Sequence, residues 1–158
     1  MKKFFLRLGE ALCVLALAAF IIFVSSQDKI STTPFKELAK AVASECDLKE
    51  LKKRDKLELK DKLSFDAAAF DNVIYYSSDS VMDVRELLII FSEDKQSLKN
   101  AEEKIAAYVS EKQQLFEDYA PKESELISSH VLINKKGYIL FYIGQDKEKA
   151  ASAFSQKL

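Results

Sequence analysis

Hydrophobic and polar positions change period several times along the chain. Residues 11–24 form an unbroken apolar run, preceded by Lys2, Lys3 and Arg7. As a helix those residues reach about 21 Å, short of the roughly 30 Å hydrocarbon core of a bilayer. Counted from Phe4 the run reaches about 32 Å, enough to span if Arg7 snorkels to the headgroups and pairs with Glu10 three positions on. Further along, Thr33 and Pro34 predict a helix start, and Phe35, Leu38, Ala39, Val42, Ala43 and Cys46 share one helical face. Residues 47–62 hold seven basic and five acidic side chains among sixteen. With signs this mixed, they read as a solvated helix face laced with i,i+4 pairs, Leu48, Leu51, Leu59 and Leu63 turned inward.

From residue 73 the pattern becomes strand-like. Residues 73–76 are β-branched and aromatic, residues 77–80 make a turn, and residues 87–91 are continuously apolar, the mark of a strand inside a sheet. Asp94 opens a long helix in which Leu98, Ala101, Ile105, Tyr108, Lys112, Leu115 and Tyr119 are spaced by three and four, with Lys112 as a polar interruption, and Pro121 stops it. Residues 131–133 and 138–143 form a hairpin about a turn at 134–137, where Gly137 supplies a positive φ. Asp146 is expected to cap a final helix burying Ala150, Phe154 and Leu158. Residues 91–95 and 143–147 echo one another, each ending a strand and opening a helix with Asp-Lys.

These elements predict an α+β fold: an N-terminal transmembrane or signal helix, then helix (one or two), hairpin, helix, hairpin, helix. The sheet is expected to be four-stranded and antiparallel, with helices mainly on one face. The domain division is a signal-anchor or signal segment over 1–26, a juxtamembrane linker over 27–33, and one exported domain over 34–158.

Composition narrows the function. The chain has 158 residues, 48% hydrophobic, with 24 basic against 25 acidic side chains. A net charge of −1 removes the usual case for nucleic acid, whose binding surfaces show a basic excess. Only Gly9, Gly137 and Gly144 are glycine, too scattered for a phosphate-cradling loop. Basic residues ahead of the apolar run keep the N-terminus cytoplasmic and send the rest across. The membrane is therefore an expected partner, through residues 4–24. Val24-Ser25-Ser26 is a poor cleavage site, which favours an uncleaved anchor; secretion after cleavage near Ser26 is the alternative. Cys13 lacks a small-residue lipobox, so lipidation there is not expected. Cys46 lies far from it, so it reads as a small buried hydrophobe and not half of a disulfide.

Candidate chemistry is sparse. His130 is the lone imidazole, expected at the surface or a hairpin end, and no Cys/His cluster offers a zinc site. Glu86 beside Arg85 at the head of the apolar strand is the acid to examine first, against the plainer reading of an edge-exposed pair. Asp79 and Asp83 among serines lack a calcium-loop pattern. Tyr119, Tyr138 and Tyr142 make an aromatic patch if they converge; otherwise they close the core. No catalytic, cofactor-binding or metal-ligating residue is assigned. Arg85, Glu86, Tyr119, Tyr138 and Tyr142 form the candidate ligand or partner surface.

Residues 85–91 with Glu86 at their head, the helix end at 116–123, and Lys136-Gly137-Tyr138 leading into the last strand resemble, in order and spacing, the bacterial family filed as domain of unknown function forty-three fifty-eight. The resemblance covers roughly residues 35–157. It implies a small exported protein tethered by a transmembrane segment or a lipid, and implies no activity and no functional residue. The expected function is a non-enzymatic binding module of the cell envelope whose partner is an envelope protein or a wall-associated ligand. Alternatives are a carboxylate-dependent hydrolase of envelope polymer, or an accessory subunit whose 95–119 helix packs on another membrane protein.

Overall fold

The structure is a computed structural model describing residues 13–19 and 29–158. The chain divides into two compact units, Met1–Ile30 and Ser31–Leu158. In the first, residues 13–19 are helical and Val14, Leu15 and Leu17 are exposed. Most of the apolar run at 4–24 lies outside the described residues. Among the described residues no helix is long and apolar enough to cross a membrane.

The second unit is α+β. Helix α1 (Phe35–Glu45) is followed by strand β1 (Lys52–Lys53), helix α2 (Lys56–Leu63), a 3₁₀ turn (Ala67–Ala69), β2 (Asn72–Ser77) and β3 (Glu86–Phe91). Then come α3 (Lys95–Phe116), α4 (Pro121–Ser128), β4 (Val131–Lys135), β5 (Tyr138–Ile143) and α5 (Lys147–Lys157). Every strand pairing is antiparallel, in the order β1-β2-β3-β5-β4.

The sheet therefore has five strands, one more than expected. The extra strand is the two lysines of β1, whose charge and brevity carry no strand pattern. It also breaks the long helix expected across 47–62: helix forms only from Lys56, where Asp55 makes a capping box with Glu58. Leu59 and Leu63 point inward as expected.

Helices cover both faces, which corrects the one-sided arrangement. β3 and β5 are apolar at every position past Glu86, so both of their faces must leave water. On one face Leu88, Ile90, Ile139, Phe141 and Ile143 pack under α2, α3 and α4. On the other, Leu87, Ile89, Tyr138, Leu140 and Tyr142 pack under α1 and α5. The alternation of a strand sends its neighbours to opposite cores.

Element ends differ from expectation in three places. Pro121 does not merely stop α3, which ends at Phe116; it occupies the first turn of α4, where its missing N–H costs nothing. Asp94 caps α3 by accepting from the Gln96 and Ser97 N–H groups, whereas Asp146 caps nothing and holds Lys149 instead. Thr33 likewise is not a cap: its hydroxyl donates to the Lys157 carbonyl, and its own carbonyl accepts from the Tyr138 hydroxyl at 2.6 Å. The β4–β5 turn has positive φ at both Lys136 (52°) and Gly137 (87°), matching the right-handed twist of the hairpin.

Candidate functional site

The sequence-predicted residues do not form one surface. Glu86 is 1% exposed, not an edge residue. It begins β3 opposite Ser77 on β2 and Ile143 on β5, and its side chain lies on the α3 face of the sheet. Its carboxylate accepts from the Tyr75 hydroxyl at 2.8 Å and the Tyr108 hydroxyl at 2.5 Å, and from the Lys112 ammonium. Lys112 is thus the answer to the polar interruption in the α3 stripe: it reaches the one acid buried in the sheet. Burial first, and then the Glu86 charge, push the Tyr75 and Tyr108 hydroxyls well above the usual phenol range, so both stay protonated donors. Burial also lowers the Lys62 ammonium, which donates to Ser77 Oγ at 3.2 Å.

Arg85, one residue earlier, points the opposite way. It grips Asp83 with two charge-assisted bonds of 2.9 and 2.7 Å and reaches Asp47 at 3.3 Å. Tyr142 lines the same open groove, of about 490 Å³, with Glu50, Glu123 and Asp146. Hydrogen bonds from Arg85 hold Asp83 below the usual carboxylate range, and Lys149 does the same for Asp146. Acids held ionised in this way cannot donate a proton near neutral pH.

The tyrosines diverge. Tyr119 is 60% exposed and lies against Phe116. Tyr138 and Tyr142 are buried in the α1/α5 core, with Phe91 tilted against Tyr138 at 4.6 Å between ring centres. His130 sits half-buried before β4, its Nδ1–H donating to the Ile127 carbonyl at 2.8 Å. Asp79 takes Lys52 and Arg54, so it is not free for a cation, and among the described residues no cluster of His, Cys, Asp or Glu has metal-binding geometry.

A groove that the sequence did not reveal lies between α1 and the edge of β2. Its volume is about 580 Å³. Phe35, Ala39 and Ala43 supply the helical wall; Ile74 and Tyr76 supply the strand wall, with Val73 at the strand edge. Lys36, Lys40 and Lys53 stand on its rim and no carboxylate lines it. None of the three lysines is in an ion pair among the described residues. The i,i+4 spacing of Lys36 and Lys40 was visible beforehand, but their facing a strand some thirty residues later was not.

Residues 44–144 match the family described as Domain of unknown function (DUF4358). The chain belongs to the DUF4358 family. The matched stretch runs from the end of α1 to the end of β5, so it contains the whole sheet and the Glu86–Lys112 pair. In this DUF4358 chain, α5 and most of α1 fall outside the match. No curated protein and no solved structure gives a significant match.

Proposed function

We propose that this DUF4358 chain is a non-enzymatic binding module of the bacterial cell envelope, tethered in the membrane by residues 4–24 with its α+β domain outside. The observation that carries the binding role is the groove between α1 and β2: apolar walls, a cationic rim without counter-charges, and a size suited to a ligand segment. The tether rests on the apolar run and on Lys2, Lys3 and Arg7 ahead of it. The strongest buried ionic group, Glu86, is fully engaged by Tyr75, Tyr108 and Lys112 and lines none of the grooves described.

Two measurements test the proposal. An alkaline phosphatase fused to the C-terminus is expected to be active in intact cells, and activity only of a cytosolic reporter overturns the address. A photo-crosslinking residue at Ala43, in the groove, is expected to trap a partner in the envelope. The same residue at exposed Leu115, on the opposite face, is expected to trap none; equal labelling at both positions overturns the groove as the binding site.

A further inference from the structure

We infer that the groove receives an extended acidic segment of a partner protein, added as a short strand to the open half of β2. This rests on the binding-module reading and names the chemistry of what that groove holds. The first observation is the backbone of β2. β1 covers only its last two residues, pairing Lys52 with Ser77 and Lys53 with Tyr76. The Arg54 N–H then donates to the Tyr75 carbonyl at 2.8 Å, and the chain turns away into α2. Alternation along a strand points the N–H and C=O of Val73 the same way as those of Tyr75, outward from β3. Among the described residues nothing pairs with them. Such an edge is a template for another strand.

The second observation is that depressions flank this edge on both sides. The α1 groove lies on one side, and a smaller hollow of about 100 Å³ lies on the other. The hollow is lined by apolar Leu59 and Phe70 and by charges that balance, Arg54 and Lys56 with Asp55 and Asp71, so the net cationic pull comes from the α1 groove alone. An added strand sends successive side chains to opposite faces, so each hollow can take one set. A compact ligand has no need of this arrangement; an extended peptide does.

The third observation is charge. Lys36, Lys40 and Lys53 oppose a second copy pairing through the same edge, since a two-fold axis would set lysine against lysine. The same three cations attract Asp and Glu. An acidic strand from a different protein is the occupant that meets all three conditions.

The test uses the purified full-length chain in detergent and a fluorescent hexapeptide alternating Glu with Val, read by anisotropy. Saturable binding is expected, weakened at least about tenfold by Lys40→Glu combined with Lys53→Glu and kept by Lys→Arg at both sites. Methylating the two central peptide amides, which blocks strand pairing but leaves charge and side chains, is expected to weaken it as much. A Lys/Val hexapeptide is expected not to bind. Equal binding of the methylated and parent peptides, or indifference to the lysine substitutions, overturns the proposal. Self-association through this edge that the peptide cannot displace assigns it to a second copy and also overturns it. Crosslinking at Ala43 with no binding of the hexapeptide removes the acidic strand as occupant while leaving the binding-module reading intact.

Discussion

At the scale of single residues, burial decides the chemistry more than identity does. Cys46 is 8% exposed, beside Tyr142 and near Asp146, and burial pushes its thiol up to about 12 from the ordinary 9.0. The folded state thus favours the protonated thiol. Its contribution to stability is whole below pH 9.0 and is lost as pH climbs toward 12. Iodoacetamide at pH 8 is expected to modify Cys46 at least about tenfold more slowly in the folded chain than in the same chain unfolded by urea. Comparable rates in the folded and unfolded chain, measured by mass spectrometry, would contradict this. Gly144 shows the same dominance of surroundings. A Cβ there would run into the Tyr142 ring, which is buried and cannot swing into water. Gly144→Ala is expected to cost about 1–3 kcal/mol in urea unfolding, and less in a Tyr142→Leu background where the ring is gone. Of the five candidate residues read from the sequence, Arg85 and Tyr142 meet in one groove, Tyr138 shares the α1-side core with Tyr142, and Glu86 and Tyr119 stand apart. Residue type predicted that Glu86 was unusual; only its neighbours reveal why.

At the scale of elements, the informative fact is a polar pair joining α3 to the sheet. Leu98, Ala101, Ile105, Val109 and Phe116 bury the α3 stripe against its own sheet, and Lys112 sits within that stripe to meet Glu86. Breaking one half of a buried pair leaves an uncompensated charge in a poorly solvating place, whereas removing both halves does not. Glu86→Gln and Lys112→Met are each expected to destabilise by about 3–5 kcal/mol, and the double variant to recover much of that loss. Simple additivity in denaturant melts would show that the pair contributes nothing as a pair. The helix ends carry a related lesson. Asp94 and Asp146 occupy the same place in the sequence echo, yet one caps its helix and the other pairs with Lys149. Short-range pattern names a good cap; the local backbone angle decides whether it is used.

At the scale of the molecule, a five-stranded sheet separates two hydrophobic cores. Because β3 and β5 serve both, neither core is expendable. Leu88→Ala, in the α3-side core, and Leu140→Ala, in the α1-side core, are each expected to cost about 2–5 kcal/mol. If Leu140→Ala left the unfolding midpoint unchanged, α1 and α5 would be a detachable cover and the three-layer description would fail. That architecture also creates the groove, since α1 laid over the α5-side face leaves a channel where it passes the β2 edge.

Periodicity alone determined the class of fold, the central strands, the β4–β5 hairpin with its glycine, the α3 stripe as far as Lys112 (past it Phe116 is buried and the expected Leu115 and Tyr119 are exposed) and the buried character of Cys46. Each of these follows from side chains a few positions apart, which local geometry brings onto one face whatever the rest of the chain does. What the tertiary structure decided is everything that depends on residues far apart in the chain. Two lysines became a strand because β2 offered them an edge, and helices took both faces because both were apolar. Glu86 found Lys112 across 26 positions, and Lys36 and Lys40 came to share one groove with Ile74 and Tyr76. Such meetings arise from the packing of whole elements, and no window short enough to show a period is long enough to contain them.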